Sequence, residues 1–264
     1  MISFSPIWAI VLRHARVWKH DLNLALSGFY WPLLDILIWG FLGSWIAQSQ
    51  IAGFHNYEAA ALLGILLWQI VGRGNNIIIN CLTEELWSHN VVNLFSLPLR
   101  TAEWISGILL FYVMMVCITG IFCMLAIPLL YTVSFWYIFS TYLIFAPPLF
   151  ISGIWLGFTC LQIVVTLGKR GVELAYVVGW FLLPFSGAYY PVEVLPAWAQ
   201  KISALLPMSY VFKGMREYVM HEQDPTTNLI KGSILSVIYA AVAIMLFIYC
   251  FNRSKQKGLA RLAD

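Results

Sequence analysis

Six long stretches of predominantly apolar residues divide this chain, and about 20 such residues, coiled as a helix, match the ~30 Å hydrocarbon core of a bilayer. They run approximately Ala25–Gln48, Ala59–Asn80, Glu103–Tyr131, Tyr137–Leu167, Val172–Tyr190 and Leu229–Phe251. In lipid every backbone polar group must be satisfied inside the protein, so only helices and closed barrels can span. Barrel strands are short and alternate apolar with polar residues. These runs are long and unbroken, so helices are expected. Only 10% of the 264 residues are charged, against about 25% in a typical soluble domain. That is too little charge to wet a surface of this size. The expected fold class is an all-α polytopic membrane protein with six transmembrane helices, and a soluble domain or soluble enzyme is excluded.

An even number of spans puts both termini on one side, and the distribution of Lys and Arg sets which side. Arg13, Arg16 and Lys19 precede the first span, Arg100 ends the second-to-third connection, and Lys169 and Arg170 lie in the fourth-to-fifth. Arg253, Lys255, Lys257 and Arg261 follow the last span. The opposite side carries Lys201, Lys213, Arg216 and Lys231, all in one long loop. Both termini are therefore expected in the cytoplasm. The chain divides into residues 1–24 at the inner surface, a transmembrane domain over 25–252, and a basic tail over 253–264.

Three connections have a character of their own. From Phe4 to His20, Ile7, Trp8, Ile10, Val11, Ala15 and Trp18 alternate with the basic residues, which suits an amphipathic interfacial helix lying along the inner membrane surface. In the cytoplasmic segment 81–100, Thr83 precedes Glu84 and Glu85; a hydroxyl followed by acidic residues reads as a helix start. A short helix presented there would dock a soluble partner, and a solvated loop is the plainer alternative. The outward segment 190–228 is punctuated by Pro191, Pro196 and Pro207 into amphipathic pieces too short to span. A re-entrant helical hairpin buried in protein would satisfy its backbone.

Asp35 and Arg73 are the two charged residues deep inside the expected spans, away from their ends. Charge at this depth is expensive and usually finds a partner or a wet path. At 1.5 Å per residue, Asp35 lies roughly 15 Å and Arg73 roughly 10 Å from the inner ends of their helices, so an intramembrane ion pair between them is expected. A structural pair fixing two helices is favoured over a proton relay. Arg73 sits in the polar patch Gly72-Arg73-Gly74-Asn75-Asn76, and Gly153 to Gly157 has GxxxG spacing. Trp39 stands at mid-depth, away from the interfacial belt, and is expected to pack. Five scattered cysteines, none in a C-x-x-C pair, suggest neither a metal site nor a disulfide framework. No nucleotide-binding G-x-x-x-x-G-K-[ST], zinc-protease or serine-hydrolase motif occurs.

Taken in order, these features resemble the permease subunit of the bacterial type-2 ABC exporters (ABC-2 type). The resemblance covers nearly the whole chain. It is carried by the basic amphipathic start, FYWPLLDILIWGFLGSW from Phe29 to Trp45, NLFSLPLRTAEWISG from Asn93 to Gly107, and most specifically FSGAYYPVEVLPAWAQKISALLPMSYVFKGMREYV from Phe185 to Val219. In the last, Pro191, Leu195, Pro196, Trp198, Pro207, Tyr210 and Arg216 match the family's run after the fifth span. The resemblance implies that this run forms two short re-entrant helices as an outer gate. It also implies that Glu84 to Leu97 is the coupling helix, with Glu84, Glu85, Leu86, Val91, Asn93 and Leu94 meeting the ATPase. The interfacial helix would touch the ATPase too.

The implied assembly is a homodimer of this permease in the bacterial cytoplasmic membrane above two copies of a separate ABC ATPase. That partner would bind ATP and Mg, so this chain would need no cofactor or metal, perform no bond chemistry and contact no nucleic acid. The cargo would be a drug, a lipid, or a glycolipid such as O-antigen or teichoic acid. The run from Tyr189 to Val219 leans to the drug and lipid branch, and Trp31-Pro32 resembles the glycan branch. The alternative is an ion-coupled secondary transporter using Asp35 and Arg73, although such carriers often repeat a discontinuous helix in both halves. A membrane-embedded enzyme would need a nucleophile at the depth of those two residues. A scaffold would leave the outer hairpin unexplained.

Overall fold

The computed structural model describes residues 4–48 and 57–258. Helices α1 (Phe4–His20), α2 (Leu22–Gln48), α3 (Tyr57–Trp87), α4 (Val91–Ser96) and α5 (Thr101–Leu130) are followed by α6 (Phe135–Leu167) and α7 (Val172–Phe181). Then come α8 (Ala197–Ser203), α9 (Pro207–His221) and α10 (Thr226–Gln256). Three single 3₁₀ turns, Gly168–Gly171, Leu183–Phe185 and Val192–Val194, join them, and no strand occurs among the described residues. Five helical segments there are long and apolar enough to cross a membrane: Leu24–Ile46, α3, α5, the stretch Phe135–Phe185 that contains α6, and α10. The all-α polytopic character expected from the sequence is present.

The fifth expected span, Val172–Tyr190, is not one helix. α7 has ten residues, a rise of about 15 Å at 1.5 Å per residue and half of what a bilayer core needs. Pro184 lacks an N–H and disfavours helix in the residue before it. A 3₁₀ turn follows, and then Gly187 at φ +74°, a conformation that glycine adopts without steric cost. The broken pieces nevertheless climb along α3. Tyr176 donates to Asn80, a Cβ on Gly179 would collide with the Asn75 side chain, and the Ala188 carbonyl occupies the space that a Cβ on Gly64 would need. From Asn80 to Gly64 the helical rise is about 24 Å.

α3 is the central post, flanked by α2, α5, α6, α7 and α9. Lipid offers no hydrophobic advantage to helix association, so close packing and interhelical hydrogen bonds must supply it. α3 and α6 approach closely at Gly74, Gly153 and Gly157, with the Tyr112 hydroxyl wedged beside them and donating to the Ile70 carbonyl at 2.7 Å. The GxxxG spacing therefore lies at a real crossing. α10 joins α6 through Ser152 and Ser236, 2.8 Å apart, and through Gln162 donating to the Ala243 carbonyl at 3.0 Å. Leu125 and Leu129 on α5, Ile38 and Phe41 on α2, and Ile234 and Met245 on α10 face outward. Such apolar faces suit lipid contact.

The segment 190–228 contains the helical hairpin α8–α9. Pro196 and Pro207 stand at the helix starts, where a missing N–H costs nothing. Ser203 donates to the Phe185 carbonyl at 2.6 Å and Tyr210 to the Ala204 carbonyl at 2.9 Å. In segment 81–100 the helix start falls later than expected. Thr83 belongs to α3 and donates back to the Ile79 carbonyl at 2.9 Å, so it caps nothing. The chain turns at His89 (φ 54°), and the short helix is α4 alone. Residues 1–3 of the interfacial segment and 259–264 of the basic tail, Arg261 included, lie outside the described residues.

Candidate functional site: a polar-striped cavity

Between Ala60 and Leu86 the residues of α3 that are not buried are Gln69, Gly72, Arg73, Asn76, Asn80 and Glu84. Their spacing of three and four places them on one stripe of the helix. All six line a cavity of about 720 Å³. α1 contributes His14 and Trp18 to it, α2 Trp31, Pro32 and Asp35, and α5 Phe111 and Met115. Tyr176, Trp180, Leu183 and Tyr189 come from α7 and the chain after it. One wall is thus polar and the others are mainly aromatic or aliphatic. Trp31 and Trp180 are themselves well exposed, so they stand at the mouth.

Both intramembrane ionisable residues reach this cavity, but the direct ion pair expected between them is not formed. Asp35 accepts from Gln69 Nε2 at 3.1 Å, and Arg73 donates to the Gly28 carbonyl. The reason is register. α2 and α3 run antiparallel, so the level of Arg73 meets Gly28, seven residues before Asp35. Gly28 has no side chain, which lets the guanidinium reach the backbone.

At the cavity's Glu84 end, α1 is fastened to α3. Arg13 Nη2 lies 2.6 Å from Glu85 Oε1, and His14 Nδ1 lies 3.2 Å from Glu84 Oε2. Glu85 also accepts from Asn90 Nδ2 at 2.8 Å. Of the residues expected to meet a partner, Glu85, Leu86, Val91 and Leu94 are buried, and Glu84 is partly covered by His14. Asn93 is exposed, in company with Trp87, His89 and Val92, which the sequence did not single out. The two carboxylates face α1 because the last turns of α3 carry them; the hydrophilic pattern was read as a new helix start.

Tyr189 lines the far end, and its ring stacks on Trp39 at 4.4 Å between centroids, 14° from parallel. Trp39 packs, as expected. On α9 of the hairpin, Arg216 is buried and donates to the Gly187 carbonyl, holding the turn that carries Tyr189. Burial lowers its pKa to about 10, and the Tyr57 and Glu193 charges oppose that shift. Pro207 is likewise buried, Pro191, Leu195 and Tyr210 are half-buried, and Pro196 and Trp198 face outward. Arg216 ties the hairpin to the turn at Gly187, whereas Trp198 is largely exposed, with its ring edge-on to Phe185. No three His, Cys, Asp or Glu side chains gather to hold a metal among the described residues.

A scan against protein-family models and a search of curated proteins both return no match for this chain. The stripe on α3 is what sequence reasoning missed. The signal was available: polar residues at 69, 73, 76, 80 and 84 repeat at helical spacing inside a span. Arg73, Asn76 and Glu84 stand out separately in the sequence, but not as one stripe. Tyr176 and His14 carried no comparable signal, since their neighbours are set by tertiary packing.

Proposed function

We propose that this chain is the membrane-spanning permease subunit of an ATP-driven exporter, moving an amphipathic or lipid-linked substrate outward across the cytoplasmic membrane of a bacterium. The cavity carries this reading: a polar stripe on one wall and aromatic rings on the others match a molecule with a polar head and an apolar body. In this reading α7 and the turns after it are a discontinuous fifth span that brings the total to six, with both termini in the cytoplasm. α8 and α9 are the re-entrant outer gate, and α1 is the interfacial helix. The exposed surface of Trp87, His89, Val92 and Asn93 at and before α4 takes the place of the coupling contact. ATP and Mg belong to a separate ATPase, present in two copies beneath a dimer of this permease.

The test is co-expression with the ATPase encoded beside it, purification, and ATP hydrolysis in lipid nanodiscs. A stable complex is expected, with hydrolysis reduced by Trp87→Ala combined with Val92→Asp. If no neighbouring ATPase associates, the exporter reading fails. An ion-coupled carrier then takes first place, because Asp35 and Arg73 both face the cavity without neutralising each other.

A further inference from the structure

We infer that the cavity selects an amphiphile whose head group is an oxyanion, phosphate or carboxylate, held by Arg73, Trp68 and Asn76. The inference rests on taking the cavity as the substrate path and adds the sign and the chemistry of its cargo.

Three donors on neighbouring turns of α3 are under-used. Arg73 carries five N–H donors, yet its one hydrogen bond among the described residues goes to the Gly28 carbonyl, and no carboxylate lies within ion-pair distance. A guanidinium in a membrane-spanning helix ordinarily acquires a counter-charge. Trp68 lines the same cavity, and its buried Nε1–H has no acceptor among the described residues. A buried donor left unpaired is unusual and costly. That nitrogen points past Gly72: a Cβ placed on Gly72 would sit 3.6 Å from it. Asn76, one turn further toward Glu84, lines the cavity with no hydrogen bond from its side chain among the described residues. A charged donor, a neutral N–H and an amide line one cavity within about two turns of α3, and an anionic head group answers all three.

The carboxylates of the cavity do not compete for that role. Glu84 is engaged by His14 at one end, and Asp35 is engaged by Gln69 on the other side of Arg73. Their presence on either side disfavours a head group that carries several negative charges. The aromatic walls at Trp18, Trp31 and Trp180 then receive the apolar body.

The experiment uses the full chain purified in dodecyl maltoside micelles, without any ATPase. Tryptophan fluorescence is followed as dodecyl phosphate, dodecyltrimethylammonium or inorganic phosphate is added. Dodecyl phosphate is expected to bind saturably, and the other two not at matched concentration. Arg73→Gln should raise the half-saturating fraction at least about tenfold, the worth of a charged hydrogen bond. Trp68→Phe, which keeps an aromatic ring but removes the N–H with the five-membered ring, should raise it about threefold. If Arg73→Gln fails to fold, Trp68→Phe alone decides. Equal binding of the cationic probe, equal binding of inorganic phosphate without a tail, or unchanged affinity in the variants overturns the inference. Because the ATPase is absent, this result is read separately from the co-purification.

Discussion

Arg13 on α1 holds Glu85 at the end of α3 from 2.6 Å, and the two differ in exposure: 39% for the arginine side chain and 1% for the carboxylate. α1 is therefore bolted to the central post by a pair whose negative member is out of water. Removing Arg13 would leave that carboxylate with Asn90 as its remaining side-chain donor. We expect Arg13→Ala to cost about 1–3 kcal/mol, below the figure for a fully buried pair because the arginine is partly solvated. Thermal unfolding in detergent reads this directly. The double variant Arg13→Glu with Glu85→Arg should recover part of the loss; no recovery would mean that the pair contributes nothing specific.

The crossing of α3 and α6 gives a second expectation. A Cβ at Gly157 would lie 2.8 Å from the Gly74 carbonyl oxygen and 2.6 Å from Ile78 Cδ1. Backbone cannot yield as a side-chain tip does, so Gly157→Ala should destabilise by about 1–3 kcal/mol. Gly72 is the control. Its Cβ would meet nothing nearer than Trp68 Nε1 at 3.6 Å, and Ala is the better helix former by up to about 1 kcal/mol. Melting curves of the two variants should move in opposite directions.

The sequence disclosed what depends on period and on the cost of polar groups in lipid. α1 occupies the expected Phe4–His20, and α6 ends at the expected Leu167. It disclosed less where tertiary contact overrides local pattern. Thr83-Glu84-Glu85 reads as a helix start, yet burial of Leu82 and Leu86 keeps α3 going to Trp87. Apolar content over Val172–Tyr190 reads as a span, whereas Pro184 and Gly187 break it. Depth placed Asp35 and Arg73 at overlapping levels, but depth says nothing about which residue of the neighbouring helix stands opposite. That register gave Arg73 to Gly28 and Asp35 to Gln69.

A pH effect is expected on the α8–α9 hairpin and the turn before it. Burial acts to raise the Glu193 carboxyl, but its own backbone N–H, Lys213 at 3.2 Å and the Arg216 charge outweigh this and hold it below the usual value of 4.5. A carboxylate lowered in the folded state contributes stability above its unfolded pKa and loses it as pH falls through the folded one. Stability of the wild type should therefore fall more steeply than that of Glu193→Gln below about pH 4.5. The side chain is more than half exposed, so the difference should stay under about 1 kcal/mol. Parallel pH curves for the two proteins would remove Glu193 from the account.

The stack of Tyr189 on Trp39 sits where the cavity ends, and it joins α2 to the turn that Arg216 holds. Offset ring pairs add about 0.5–1.5 kcal/mol beyond the area they bury. The Tyr189 hydroxyl has no hydrogen-bond partner among the described residues, so its loss should be harmless. Tyr189→Phe should match the wild type in thermal unfolding within about 0.5 kcal/mol, whereas Tyr189→Ala should lose about 2–3 kcal/mol by removing both the ring contact and the buried area. If the stack also closes the cavity's far end, Tyr189→Ala should let a charged thiol reagent added from outside reach a cysteine introduced by Asn76→Cys, and Tyr189→Phe should not. Equal labelling in both backgrounds would show that Tyr189 packs without sealing.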